Sequence, residues 1–190
     1  MKVVIIDYGA GNTRSVQLAL ERIGVHARLT AEADEIREAD KVIFPGVGHA
    51  RSAMDVLRNK KLDTLIPSLR QPVLGICLGM QLLCTQSEEG DTPCLGIFEE
   101  RVKLFPASGK VPHMGWNTAT ASDGAALFPA GWYYFVHSYY VPLSSYTVLG
   151  CDYITGFAAA IQRDNFYGVQ FHPEKSGKAG EVLLANFLKL

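Results

Sequence analysis

The sequence predicts an α/β fold whose mostly parallel central sheet is flanked by helices and gives way to an antiparallel section in the second half. Two observations lead there. Through the first half, short apolar runs (VVII at 3–6, VIF at 42–44, VLGI at 73–76) alternate with helical patterns. Runs that are apolar throughout are what strands read as when helices cover both faces of their sheet. After about residue 95 the rhythm changes to strand-like segments separated by Gly, Pro, Asn and Asp, and one helical pattern closes the chain.

The elements follow in order. The first strand leads to Asn12, a residue type that caps helices. Val16, Ala19, Leu20 and Ile23 then recur at helical spacing until Gly24 can end the helix. The runs at 42–44 and 73–76 continue a βαβ pattern, the second passing directly into an amphipathic helical pattern. RVKLF, WYYFVHSYYV, TVLGCDY, GFAAAIQ and YGVQF make the antiparallel section. In the aromatic strip, Trp132, Tyr133, Tyr134 and Phe135 are expected to be core at alternate positions. Val182, Leu183, Leu184, Phe187 and Leu188 share a face of the closing helix.

Composition narrows the function classes. With 190 residues, 48% of them hydrophobic and 19% charged, the chain is expected to form a single domain over 1–190. A chain of this size buries about 70% of its unfolded surface without a metal or disulfide staple. Eighteen basic and nineteen acidic residues, with no run of either sign, leave no electrostatic footprint for nucleic acid or an anionic membrane. The opening MKVVIIDYGAGN is too short an apolar run for a signal peptide or span, so a cytoplasmic protein is expected. Cys77, Cys84, Cys94 and Cys151 show no CxxC spacing and are expected to be free thiols.

One of those thiols stands apart. The segment 72–83 carries Gly75, Cys77 and Gly79 at a strand-to-helix junction, the form of a nucleophile elbow. A nucleophile on so sharp a turn has a strained backbone, and side chains two residues to either side would collide with neighbouring chain. The first turn of the following helix offers partial positive charge and free N–H groups, which favour thiolate. A base is available at His172, which ends an alternating strand because Pro173 cannot continue the ladder, and Glu174 is near enough to turn towards the imidazole. Cysteine, histidine and carboxylate together supply nucleophile, base and orienter. The third element is Gly46-Val47-Gly48, a loop after an apolar strand whose backbone N–H groups can face a developing oxyanion. Gly9-Ala10-Gly11 also follows a strand, but Arg14 breaks the dinucleotide fingerprint, so NAD is not expected.

PGVG, GICLGMQ and VQFHPEKS, in this order, resemble the motifs of the class I (triad-type) glutamine amidotransferases, and the resemblance covers the whole chain. It implies a three-layer α/β fold and a glutaminase in which Cys77 is the nucleophile, His172 the base and acid, and Glu174 the orienter. Gly46, Val47 and Gly48 match the oxyanion strand; Gln81, His137, Ser138 and Tyr139 match substrate-holding positions. Within the family, DYGAGN, PHMGWN and the lysine of HPEKS are similar to the branch serving imidazole glycerol phosphate synthase in histidine biosynthesis. That likeness implies a heterodimer with a (β/α)8-barrel cyclase, ammonia channelling, and an interface including Asn12, His113, Met114, Trp116, Asn117 and Lys175. Because the Gly46–Val47 peptide must present an N–H to the oxyanion and a peptide facing the other way leaves the site silent, binding of the partner and its ligand is expected to turn it. L-Glutamine is the implied substrate, with no metal or organic cofactor. His49 has no part in the family pattern, and Cys84, Cys94 and Cys151 read as small core or loop thiols.

Three alternatives stay open at this point. The chain can serve another synthase, such as one making anthranilate or aminodeoxychorismate, although relatives of that kind typically carry histidine where Met80 stands. It can be a non-catalytic binding module of the same fold, for which Cys77 is dispensable. It can be a cysteine hydrolase of another substrate, which would cleave peptides without a partner.

Overall fold

The computed structural model describes residues 1–190 except 10 and 122–126, so Ala10 of the DYGAGN motif lies outside the described residues. The first half runs β1 (Val3–Ile6), α1 (Thr13–Arg22), β2 (Ala27–Thr30), α2 (Ala33–Arg37), β3 (Lys41–Gly46), α3 (Ala50–Asn59), α4 (Leu62–Leu65), β4 (Val73–Cys77) and α5 (Leu78–Leu82). The second runs β5 (Cys84–Ser87), β6 (Thr92–Pro93), β7 (Phe98–Leu104), β8 (His113–Ala121), β9 (Gly131–His137), β10 (Tyr139–Tyr140), β11 (Thr147–Asp152), β12 (Gly156–Arg163), β13 (Phe166–Val169) and α6 (Gly177–Leu188). The Asn12 side chain caps α1 by accepting from the Ser15 N–H at 3.3 Å, and Gly24 follows the helix at φ +80°.

Nine strands form the main sheet in the order β2-β1-β3-β4-β13-β12-β11-β8-β9. Pairing from β2 to β13 is parallel and from β13 to β9 antiparallel, as the change in sequence rhythm suggests. Alternate residues of β1 enter opposite cores: Val3 and Ile5 pack with α1 and α6 residues, Val4 and Ile6 with those of α3 and α4. Both faces of the sheet are therefore covered, which is why VVII shows no polar alternation.

One step of topology creates the site. The late strand β13 inserts beside β4, with Gly168 opposite Gly75 and Val169 opposite Ile76, while β3 flanks β4 on its other edge with Gly46 opposite Cys77. The carboxyl ends of three strands thus lie side by side, the usual place for chemistry on a parallel sheet. They carry the glycine loop, the cysteine and the segment leading to the histidine.

Two expectations need correction. The amphipathic helix after Cys77 is only the five residues of α5, all buried. The chain then turns away into a second sheet, order β10-β7-β5-β6, so RVKLF belongs there and not to the main antiparallel section. The carbonyls that a longer helix would have used are satisfied instead from the loop: Leu95 N–H donates to Leu82 O and Ile97 N–H to Leu83 O, each at 2.9 Å.

Candidate active site

Cys77 sits at φ 54° and ψ −111°, a conformation that L-residues rarely adopt, where the buried apolar strand β4 breaks into α5. The three glycines around it are required by contact. A Cβ on Gly79 would lie 1.9 Å from the Phe44 carbonyl oxygen, one on Gly75 2.8 Å from the Met80 nitrogen, and one on Gly46 2.6 Å from the Gly79 nitrogen. The elbow is therefore wedged against β3 with no room for a methyl group, and the same close approach brings the loop after Gly46 to the cysteine.

His172 is held by backbone and by packing. Phe171 stacks on Tyr133 with ring centroids 3.9 Å apart, and the His172 N–H donates to Tyr134 O at 2.9 Å. Ser176 donates to His172 O at 2.6 Å and accepts from the Tyr134 N–H at 3.0 Å, bracing the segment against β9. A single 3-10 turn over Pro173–Lys175 swings Glu174 back, so that its Oε1 lies 2.8 Å from His172 Nδ1 with both side chains nearly inaccessible. A carboxylate only accepts, so Nδ1 carries a proton and Nε2 is the nitrogen left to exchange a proton with the thiol. That Nε2 is buried with no hydrogen-bond partner among the described residues. Burial pushes the imidazole down, but the Cys77 sulfur and the Glu174 carboxylate together outweigh it and raise His172 to about 10. Imidazole, carboxylate and sulfur thus form one electrostatic unit, with the ring able to accept a proton from the thiol.

A cavity of about 350 Å³ opens over the sulfur. Val47, Gly48, Gln81, His137, Ser138 and Tyr139 line it together with Cys77 and His172; Gly46 lies at the elbow contact and Glu174 behind the histidine. Gly48 takes φ +105°, which frees the loop backbone to turn at the rim. Leu78, Pro112 and Val136 also line it, as does Glu89, which sequence reasoning missed. The Glu89 carboxylate accepts from the Ala50 N–H at 2.7 Å, and the Val136 carbonyl lies 3.9 Å from the Cys77 sulfur.

The segment placed by resemblance at a partner surface divides by strand parity. Met114 and Trp116 are 62% and 54% exposed, but His113 is 3% exposed and faces inwards. This corrects the expectation for His113: on β8 successive side chains point to opposite faces, so His113 and Met114 cannot both be surface. Asn117 is half-buried and donates to the Asp152 carbonyl at 2.9 Å, Asn12 is half-buried at its helix cap, and Lys175 is exposed with its Nζ 5.8 Å from the centre of the Tyr134 ring. The aromatic strip alternates as expected, with Tyr133 and Phe135 fully buried and Trp132 60% exposed. His49 caps α3 by accepting from the Arg51 N–H.

His113 and His137 join the inner face to the cavity wall. Tyr139 O must accept, so His137 Nδ1 donates to it at 2.8 Å; His137 Nε2 then accepts from His113 Nδ1 at 3.1 Å, leaving His113 Nε2 to accept from Asn117 at 3.3 Å. Burial pushes His137 down to about 3 and His113 down to about 4. In the unfolded chain both protonate near 6.5, so on acidification the unfolded state binds more protons and stability falls. Their contribution is whole above about 6.5 and is lost as pH drops towards those folded values. We expect a loss of several kcal/mol by about pH 4, read as the urea midpoint across pH. Replacing His137 by glutamine should flatten that limb; an unchanged limb would show that these rings do not set it.

Comparison with known proteins agrees with this geometry. The family model for class-I glutamine amidotransferases matches residues 4–190. The chain is 55% identical to the imidazole glycerol phosphate synthase subunit HisH of Bacteroides fragilis and 47% identical to that of Escherichia coli K12, covering the whole of both chains in each case. Among solved structures, a glutamine amidotransferase superposes with a TM-score of 0.77 at 18% identity, over 98% of this chain and 97% of that one. The chain belongs to the class-I glutamine amidotransferase family and, within it, to the HisH branch.

Proposed function

We propose that this chain is the glutaminase subunit of imidazole glycerol phosphate synthase, with Cys77, His172 and Glu174 as its triad. The observation that carries this reading is the strained Cys77 elbow beside an imidazole already paired with Glu174, under a cavity of about 350 Å³. His172 takes the thiol proton and the sulfur attacks the side-chain carbonyl carbon of glutamine. N–H groups of the Val47–Gly48 loop receive the oxyanion, which a site of this kind stabilises by several kcal/mol. His172 then protonates the departing nitrogen, releasing ammonia and leaving a glutamyl thioester. Water, activated by the same imidazole, attacks the thioester to give glutamate and restore the thiol. Gln81 and Glu89 line the wall that receives the substrate's amino-acid end.

The partner is a cyclase subunit of barrel architecture, and β9 is where it docks. This strand ends the main sheet, and Met114 and Trp116 lie opposite Val136 and Tyr134 across the β8–β9 pair, with Trp132 further along. Val136 belongs to both this exposed pair and the cavity, so ammonia formed at Cys77 lies one strand away from the docking face. In the partner it joins the phosphoribulosyl formimino-carboxamide ribotide (PRFAR), giving imidazole glycerol phosphate and the aminoimidazole carboxamide ribotide (AICAR). A cytoplasmic setting fits the free cysteines, and no helix among the described residues is long and apolar enough to cross a membrane.

The test is glutamate release from glutamine by this chain with the cyclase, with and without PRFAR. Release should rise steeply only when partner and ligand are both present. Trp116→Asp should weaken the complex at least about 30-fold, the scale of an aromatic hot spot, as read by titration calorimetry. Release that ignores the partner, or binding that tolerates the charge, would remove the partner from this reading.

A further inference from the structure

Gln170 is fully buried between the nucleophile and the substrate wall, and the triad makes no use of it. The directions of two amides follow from a single carbonyl. Tyr139 O can only accept, so the Gln81 atom 2.9 Å from it is the amide nitrogen. The same nitrogen lies 2.9 Å from the side chain of Gln170, whose facing atom must then be its oxygen. This turns the Gln170 amide nitrogen towards the Cys77 sulfur, 3.7 Å away. Backbone donation from Gln170 to Ala159 O at 2.9 Å fixes the residue in the sheet. Both N–H groups of Gln81 are thereby used, and its oxygen is left as an acceptor on a residue that lines the cavity.

We infer that Gln170 has two separable roles: its oxygen positions Gln81 to present an acceptor to the substrate's ammonium group, and its N–H donates to the thiolate of Cys77. The inference deepens the glutaminase reading and rests on it for the substrate. A free glutamine side chain at position 81 can offer either end of its amide to a ligand. With Gln170 and Tyr139 holding the nitrogen, the donor-accepting end alone is offered, which selects an ammonium over a carboxylate at that point of the wall. At the sulfur, an N–H donor favours the charged nucleophile over the neutral thiol.

The experiment uses the complex of this chain with its cyclase partner and two variants, Gln170→Leu and Gln170→Glu. Leucine removes both contacts at similar size; glutamate keeps an acceptor for Gln81 and replaces the donor at sulfur with an anionic oxygen. For leucine we expect KM for glutamine to rise about tenfold, the scale of a hydrogen bond to a charged group. The pH midpoint of iodoacetamide alkylation at Cys77, followed by peptide mass spectrometry, should move up by about one unit. For glutamate we expect KM near that of the unsubstituted complex and an alkylation midpoint still higher. In a Gln81→Met background, Gln170→Leu should add nothing further to KM, because the positioning acts through Gln81 alone.

An unchanged KM in Gln170→Leu, or a KM effect that persists without Gln81, overturns the positioning role; an unmoved alkylation midpoint overturns the donor role. Should Gln170→Leu melt far below the unsubstituted chain, the Gln170→Glu pair of readouts decides alone. Absence of glutamate release from the unsubstituted complex would instead refute the glutaminase reading and the substrate role with it, while alkylation would still report on the contact at sulfur.

Discussion

Cys77→Ala in the complex with the cyclase is expected to lower glutamate release from glutamine by at least about 10³-fold, the scale on which removing a member of a catalytic triad acts. Synthesis supported by added ammonium salts should continue at its normal rate, because ammonia formed elsewhere needs only the partner's site. The separation of the two activities follows from the geometry. The sulfur sits at the floor of a cavity, 3.9 Å from Val136 O and 3.7 Å from the Gln170 amide, and its removal leaves the glycine packing of the elbow against β3 in place. Alanine inherits the same positive φ at the elbow, and the melting temperature should therefore change little. If the alanine variant retained glutamine-dependent synthesis, the chain would be a binding module that keeps the fold. If ammonium also failed to support synthesis, the defect would lie in assembly.

Glu174→Gln is the second large effect, expected at about 10³- to 10⁴-fold in kcat with little change in KM. The wild-type carboxylate accepts from His172 Nδ1 at 2.8 Å, which leaves Nε2 free to take the thiol proton. A glutamine amide that turns its NH2 to the ring donates instead, placing the ring proton on Nε2, where it blocks acceptance. Removing the negative charge also withdraws one of the two groups that raise His172 to about 10. The imidazolium formed during attack then loses its partner. Steady-state kinetics of the complex check this; a kcat within tenfold of the parent would mean that Glu174 is a structural brace and that another group orients the ring.

The parts of the site legible in the sequence are those whose partners are close along the chain. The elbow glycines flank Cys77 by two residues, and Glu174 follows His172 by two, so spacing alone carried their roles. That β13 and β3 bracket β4 could be expected only from the family resemblance, because sheet order is a long-range property. Glu89 and Gln170 gave no local signal, because their partners lie 39 and 89 residues away, and the contact by which Ser176 braces the histidine segment against β9 spans 42 residues. The second sheet escaped for a related reason. Strands β6 and β10 have two residues each, and β5, with the sequence CTQS, follows directly on the apolar helical run and shows no strand-like apolar alternation of its own. His113 was misplaced because the motif was read as one surface unit, whereas strand parity, visible only once β8 was paired with β9, sends alternate residues inwards.

Of the four cysteines, Cys77 alone is proposed to carry the glutamyl thioester. Burial pushes Cys84 well up and raises Cys94 and Cys151 to about 12, so those three stay neutral thiols and poor nucleophiles. The most direct measurement is acid quenching of the complex during glutamine turnover, followed by mass spectrometry of the cysteine-containing peptides. A glutamyl group should appear on the Cys77 peptide and disappear once glutamine is exhausted. Glutamate released with no adduct on Cys77 under conditions that trap thioesters, or an adduct on another cysteine, would contradict it.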